Sequence, residues 1–175
     1  FKDALTSGYI QESWQDILIE YNDEDGLLYF SFPNQPEIIG LREDVSIPID
    51  KDFFHDAEFF FKPAWAPELP KGWSMLYISP LNHFDLPFWM PAGIMDNDRF
   101  NYFNKTESRL PFFVRKNFSG IIPKGTPLFQ MIPIKRSKWF SKNNFWNKAR
   151  QDKQNALIHS VFWGGYKKYF WTKKE

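Results

Sequence analysis

Three histidines supply the side chains with the clearest potential for metal chemistry in this chain. His83 and Asp85 have the His-x-Asp spacing of a facial triad, in which two adjacent ligands and one distal histidine hold iron(II). His159 is the downstream histidine that could complete the set, and a jelly-roll fold would suit an iron(II) and 2-oxoglutarate oxygenase. However, His159 falls in a segment that we predict as helix rather than strand. The pattern therefore favours hydrogen bonding of His83 and Asp85 to a proline-rich loop, and no metal or other cofactor is expected.

Two other groups of titratable side chains have less specific spacing. The His55-Asp56 pair and the adjoining Glu58 are typical of a solvated loop before a strand. Asp96 and Asp98 could act as the paired carboxylates of a glycosidase, but a chain with 21 acidic residues contains such pairs by chance. The chain has no nucleophile elbow, phosphate-binding loop or zinc-protease motif, and it has no cysteine. These observations favour a protein without catalytic residues.

Aromatic and basic side chains are interleaved along the C-terminal part of the chain. Rings can stack on bases or pack at a lipid boundary while lysines meet phosphates, as in a binder of single-stranded nucleic acid or membrane surfaces. The same pattern suits a docking segment whose rings are buried against the same or a neighbouring chain. We favour this second interpretation. The predicted partner-binding residues are Lys138, Trp139, Trp146, Lys148, Trp163, Lys167, Lys168 and Trp171.

The net charge of +1 hides a strong asymmetry. Residues 135–175 contain eleven Lys and Arg against two acidic residues, a net charge of +9, so residues 1–134 carry −8. The change follows the last strong strand pattern. We therefore predict a β-sandwich domain over residues 1–136 and a basic, aromatic, helical appendage over residues 137–175. Opposite charges favour contact of the appendage with an acidic body, within one molecule or across an oligomer.

The elements that would carry these residues are mostly short strands. Residues 17–21 and 27–32 flank an acidic turn that ends in Gly26, which predicts an antiparallel hairpin. Residues 110–134 contain two β-rich runs around a Pro-Lys-Gly-Thr turn at 123–126, and we predict a second hairpin there. Further strands are expected at residues 57–61, 74–78 and 93–95. The absence of βαβ alternation predicts a mainly β fold, an antiparallel β-sandwich or jelly-roll-like barrel.

Three regions depart from this strand pattern. The entry up to Gly8 predicts a single helical turn. Residues 33–52 contain three prolines, which predicts a loop or strap over the sheet. In the C-terminal part, Ser141 can cap a helix whose apolar residues recur at helical spacing until Gly164 ends it.

The composition indicates one globular domain, with or without an appendage. The 43% hydrophobic content of 175 residues is enough for a core, and aromatic residues make up 20% of the chain. Either the core is unusually aromatic or some rings are displayed for contact. No apolar run reaches the roughly 18 residues that a membrane span needs, so no transmembrane segment is expected. The chain begins at Phe1 rather than Met, and we expect an N-terminal segment before it.

Five motifs in a fixed order resemble a known family. They are Thr6–Ile10, Trp65–Ser74, Pro80–Phe88, Gly93–Asp98 and Gly120–Pro133. Over roughly residues 1–140 the chain is similar to a domain family of unknown function that is widespread in tailed phages of marine cyanobacteria and has distant bacterial members. The resemblance implies a phage-encoded β-sandwich protein in the virion or the host cytoplasm, and it implies no activity. At the position of His83 the family more often has arginine, which weakens the metal hypothesis.

Together these observations predict a non-enzymatic β-sandwich protein that serves as a virion, assembly or partner-binding component. Its partner would be a protein or a second copy of the chain. Two alternatives stay open: a jelly-roll oxygenase or other small-molecule enzyme, and a binder of single-stranded nucleic acid or membrane surfaces through the basic tail. An enzyme would present convergent polar groups in a cavity, whereas a structural protein would present an aromatic surface.

Overall fold

The computed structural model describes residues 2–42, 47–57, 59–63, 67–99 and 109–173. Glu58 and Trp65, which belong to the sequence patterns above, lie outside the described residues. The chain divides into two compact units, Phe1–Arg136 and Ser137–Glu175, which we call the first and the second unit.

Short strands make up most of the regular structure described in the first unit. In chain order, after the helix α1 (Lys2–Leu5), they are β1 (Tyr9–Glu12), β2 (Ile17–Asn22), β3 (Leu27–Ser31), β4 (Ile39–Leu41), β5 (Phe59–Phe61), β6 (Trp73–Ile78), β7 (Phe88–Trp89), β8 (Gly93–Met95), β9 (Leu110–Val114), β10 (Gly120–Ile122) and β11 (Pro127–Lys135). They form antiparallel sheets with the strand orders β1-β11-β6-β8, β10-β2-β3 and β4-β5-β9-β7. This arrangement confirms the predicted mainly β, antiparallel fold, and it is consistent with a β-sandwich.

The hairpin between β2 and β3 confirms the first of the two hairpin predictions. The strands pair antiparallel from Asn22 opposite Leu27 to Leu18 opposite Ser31. Gly26 has a φ of +72°, a left-handed conformation that glycine adopts without steric cost, and its N–H donates to the carbonyl of Asn22 at 2.9 Å. The glycine therefore closes the turn in the way the sequence predicts.

The second predicted hairpin, over residues 110–134, is wrong. The Pro-Lys-Gly-Thr turn is present, since the N–H of Thr126 donates to the carbonyl of Pro123 at 3.1 Å and Gly125 has a φ of +86°. The strands that flank it do not pair with each other: β10 pairs with β2, and β11 lies between β1 and β6. Because β11 has a neighbour on both sides, it leaves no edge for β10. The turn instead carries the chain from one sheet to another.

Three strands appear where the sequence pattern predicts no strand. They are β1, β4 and β7, and β4 lies inside the 33–52 stretch that is predicted as a loop. The sequence of β1, Tyr-Ile-Gln-Glu, does not alternate between apolar and polar residues, and its one buried residue is the polar Gln11. β4 contains Gly40, and β7 has two residues. These strands form because neighbouring strands offer them an edge, which short local patterns do not reveal.

The core of the first unit is built largely from phenylalanine. Phe61 and Phe112 stack with ring centroids 3.9 Å apart and an interplanar angle of 8°. Phe88 meets Phe112 edge to face at 5.8 Å, Phe129 of β11 lies 6.1 Å from Phe61, and Phe30 of β3 lies 6.5 Å from Phe112. Rings from all three sheets therefore share one core. This packing accounts for part of the high aromatic content.

Two helices form the regular part of the second unit, α2 (Lys148–His159) and α3 (Gly165–Tyr169). The helical segment predicted for the C-terminal part is thus confirmed, but its bounds differ. The side-chain oxygen of Asn147, not that of Ser141, caps α2 by accepting a hydrogen bond from the Arg150 N–H at 3.0 Å. Gly164, with a φ of +74°, lies beyond the end of α2 and turns the chain into α3. None of the helices in the described part of the chain combines the length and apolar character that crossing a bilayer requires.

Candidate functional site

The residues of the hypothetical iron site occupy separate elements. His83 is half-buried and Asp85 is exposed in the irregular stretch before β7, and His159 is the exposed last residue of α2 in the second unit. Among the residues that the structure describes, no group of three or more His, Asp and Glu side chains is placed to hold a metal ion. The structure therefore provides no observation that favours the facial triad.

His55 departs from the predicted solvated loop. Its side chain is buried, its backbone N–H donates to the carbonyl of Val114 at 3.0 Å, and its ring lies 4.7 Å from that of Tyr21. Burial lowers the pKa of His55, and the charge of Lys116 lowers it further, so both effects favour the neutral imidazole. The loop is drawn inward because Phe54 forms a β-bridge with Arg115, next to the end of β9. The solvated-loop interpretation is thus wrong for this residue.

Asp96 and Asp98, which the sequence suggests as an accidental pair, converge on Arg136. The guanidinium of Arg136 donates through Nη1 to Asp96 at 2.9 Å and to the hydroxyl of Ser74 at 3.0 Å, and through Nη2 to Asp98. The Asp98 carboxylate, whose side chain is 1% exposed, also accepts from the N–H of Gly72 at 2.7 Å. We call Gly72, Ser74, Asp96, Asp98 and Arg136 the Arg136 cluster.

The Arg136 cluster joins three stretches of chain and lowers the pKa of both carboxyls. The bond from Arg136 lowers the pKa of Asp98, and the Gly72 N–H adds to this effect; the Ser74 hydroxyl does most to lower the pKa of Asp96. Two acids engaged by one arginine are not the paired catalytic carboxyls of a glycosidase, because such an enzyme needs one of the two with a raised pKa. The cluster instead fixes β6, the segment after β8 and the last residue of the first unit.

Acidification is expected to weaken the first unit through Asp98. Because folding lowers this pKa from the usual value of 3.8, the cluster contributes stability above the pKa of the unfolded chain and loses it as the pH falls through the folded pKa. Asp98→Asn removes the titration. At pH 7 its free energy of unfolding should be below that of the wild type, and between about pH 5 and 2 it should fall less steeply. Urea denaturation at a series of pH values measures how the free energy of unfolding of each protein depends on pH. If the wild type and Asp98→Asn gave parallel curves, Asp98 would not be the source of the acid sensitivity.

The second unit presents many aromatic side chains to solvent. The exposed fraction is 91% for Trp139, 102% for Phe145 and 85% for Trp163, and it stays at 36% for Trp171. The exposed aromatic residues of this unit are Trp139, Phe140, Phe145, Trp146, Phe162, Trp163, Tyr166, Tyr169, Phe170 and Trp171. In the sequence these rings lie before and after α2, while α2 itself is polar and has no buried residue. The expectation that these rings are buried against a chain therefore stays a prediction about a partner.

Lysines lie next to several of these rings. The Nζ of Lys167 is 5.9 Å from the ring centroid of Trp171, and the Nζ of Lys168 is 5.1 Å from that of Tyr169. These are cation–π distances. All eight predicted partner-binding residues are exposed, so the second unit offers rings and positive charge together.

A cavity of about 450 Å³ opens beside β3 and β4, each of which is the outermost strand of its sheet in the described part of the chain. We call it the edge cavity. Its lining is mainly apolar and includes Leu27, Phe30, Leu41 and Phe59, with Glu37 and His55 among the polar residues. Leu27 and Leu41 are 55% and 63% exposed. The site thus combines accessible apolar side chains with two strand edges.

Sequence reasoning identifies the aromatic surface of the second unit but misses two features of the first. The side-chain hydrogen bonds of the Arg136 cluster join residues that are between 22 and 62 positions apart, and the edge cavity depends on which strands end their sheets. No spacing signal marks either feature. Comparison of the chain with known proteins gives no match to a family model, to a curated protein or to a solved structure.

Proposed function

We propose that the protein is a non-enzymatic subunit of a protein assembly and that its second unit holds the assembly together. The observation that carries this proposal is the exposure of ten aromatic side chains between Trp139 and Trp171. Grouped exposed rings mark interaction surfaces, and aromatic residues with Arg are the usual anchors of protein interfaces. The resemblance to a phage domain family supports a virion, or the assembly of one, as the setting.

The charge distribution supports association between copies of the chain. The basic segment of one copy, at +9 from residue 135 onward, is complementary to the acidic body of another, at −8. Such complementarity steers encounter and fixes orientation, while the buried rings supply most of the affinity. A head-to-tail contact of this kind is heterologous, so it builds a closed ring, of which a reciprocal dimer is the smallest, or an open filament.

Binding of single-stranded nucleic acid is the second candidate function. The lysines that lie over Trp171 and Tyr169 favour it, because a groove of rings and positive charge stacks bases and contacts phosphates. An anionic membrane surface would use the same groups. In both cases a single chain would bind its ligand without a second copy, which separates these functions from assembly.

Removing the rings of the second unit is expected to prevent self-association. We propose a full-length variant with Trp139→Ala, Trp146→Ala, Trp163→Ala and Trp171→Ala. Light scattering of the wild type should give a mass per particle that rises with concentration above the 21.0 kDa of one chain, whereas the variant should stay at one chain. Added salt should lower the mass, because it screens the charges.

Phe84→Ala is the matched control for this experiment. The Phe84 ring is 85% exposed but belongs to the first unit, so its loss should leave the particle mass unchanged. A wild type that has the mass of one chain at every concentration would contradict the proposed function.

A further inference from the structure

The edge cavity offers an extended peptide both backbone partners and apolar contacts. β3 pairs only with β2, and β4 pairs only with β5, so each leaves one side of its backbone without a strand partner among the described residues. Both strands line the same cavity. An exposed sheet edge is a template for strand addition, in which main-chain hydrogen bonds give affinity and pockets accept alternate side chains. β3 is the longer of the two edges.

The start of the second unit has the properties of such an extended peptide. Residues 137–147 have no helix or strand, and within the described chain the backbone groups of 137–146 make no hydrogen bond. Trp139, Phe140 and Phe145 are each at least 89% exposed, and Trp146 is 74% exposed. We call residues 137–147 the donor segment.

We propose that the donor segment of one copy adds as a strand to the edge of β3 in a second copy and places an aromatic ring in the edge cavity. This inference rests on the proposed function and names the surface that receives the second unit. In a strand, Trp139 and Phe145 lie on one face, and Phe140 and Trp146 lie on the other. Rings that share a face are six residues, or about 20 Å, apart, so either face can supply one ring to the apolar lining formed by Leu27, Phe30 and Phe59 in the second copy.

The sizes and charges of the two surfaces are compatible. The donor segment is longer than the five residues of β3, so it can span the whole edge. A cavity of about 450 Å³ lies within the range that encloses small ligands and side-chain anchors. Lys138 and Lys142 of the donor segment would approach Glu37 and Asp56 at the cavity, and Asp25 at the end of the hairpin turn.

These carboxylates have partners in the single chain, but the contacts are solvated: Asp25 accepts hydrogen bonds from the N–H of Leu27 and the hydroxyl of Tyr29. Glu37 is 3.3 Å from Lys62, and Asp56 is 2.6 Å from Lys51, with carboxylate side chains that are at least half exposed. Solvated pairs of this kind contribute little stability and exchange partners readily. The donor lysines can therefore add to the local network without breaking a buried ion pair.

Disulfide trapping tests the contact directly, because the chain has no cysteine of its own. Ser31→Cys would be placed at the end of β3 in one copy, and Ser141→Cys or Asn143→Cys in the donor segment of a differently tagged copy. These positions keep all four donor rings. The copies are mixed under conditions where the wild type self-associates, and the product that carries both tags is quantified.

Ile121→Cys is the matched control, because Ile121 is 60% exposed on β10, the opposite edge of the sheet that contains β3. We expect about tenfold more product that carries both tags from Ser31→Cys than from Ile121→Cys. Equal yields from the two edges, or no product that carries both tags, would overturn the proposal.

A charge introduced at the opening of the edge cavity provides a second test of the proposed contact. Leu27→Lys places a positive charge where the donor lysines would arrive, and it should weaken self-association by about tenfold in light scattering. Ile121→Lys should have no such effect. Self-association that persists in Leu27→Lys would reject this acceptor edge while leaving the proposed assembly function intact, whereas absence of self-association in the wild type would reject both.

Discussion

Replacing Phe112 by alanine is expected to lower the free energy of unfolding of the first unit by about 3–5 kcal/mol. The ring is fully buried, stacks on Phe61 at 3.9 Å and contacts Phe88 edge to face. Its loss removes apolar surface from the core and leaves a cavity that rigid neighbouring strands cannot close. Urea denaturation followed by circular dichroism would measure the change.

Phe84→Ala serves as the control for the core substitution. Because the Phe84 ring is 85% exposed, its removal should change the free energy of unfolding by no more than about 0.5 kcal/mol. If Phe112→Ala lowered the free energy of unfolding no more than Phe84→Ala, the stacked phenylalanines would not be the centre of the core.

Replacing Arg136 by alanine is expected to lower the melting temperature of the first unit by several degrees. The substitution removes the cation that is hydrogen-bonded to Asp98, a carboxylate whose side chain is 1% exposed in the intact cluster, and breaking one side of such a pair costs far more than removing a surface ion pair. Arg136→Lys should recover only part of the loss, because one ammonium group cannot contact both carboxylates and Ser74 at once.

Lys135→Ala is the control for the Arg136 substitutions. Lys135 is the exposed last residue of β11 and carries the same charge one position away. Calorimetry should show a melting temperature near that of the wild type for Lys135→Ala. Equal melting temperatures for Lys135→Ala and Arg136→Ala would show that the cluster does not stabilise the fold.

The parts of the fold that follow from the sequence are those with local causes. The hairpin of β2 and β3 is predictable because Gly26 supplies the left-handed residue that its turn needs. β8 lies at the predicted residues 93–95, between stretches rich in proline and turn residues. The presence of helix after residue 140 follows from the change in composition, although Asn147 rather than Ser141 begins it.

The parts that do not follow from the sequence depend on distant partners. The turn at residues 123–126 is visible, but the choice of β2 as the partner of β10 is set by which sheet edges are vacant. The burial of His55 depends on the bridge between Phe54 and Arg115. Local pattern can therefore locate a strand or a turn without specifying its neighbour.

The same distinction applies to the functional surfaces. The rings and lysines of the second unit are apparent from composition alone, because aromatic residues seldom accumulate on a polar, basic segment without a contact to make. The acceptor side is not apparent, since it requires knowledge that β3 and β4 end their sheets beside an apolar cavity. High aromatic content thus has two causes here, a phenylalanine core and an exposed tryptophan-rich surface.

Comparison of three ligands for the second unit tests the central claim most directly. Full-length protein would be titrated with single-stranded DNA, with anionic phospholipid vesicles and with itself, and tryptophan fluorescence and particle mass would be followed together. Assembly through the second unit predicts that the particle mass rises with protein concentration, and that neither DNA nor vesicles change the fluorescence at concentrations that saturate self-association. Salt-sensitive binding of DNA or vesicles by a protein that stays a single chain would contradict the claim.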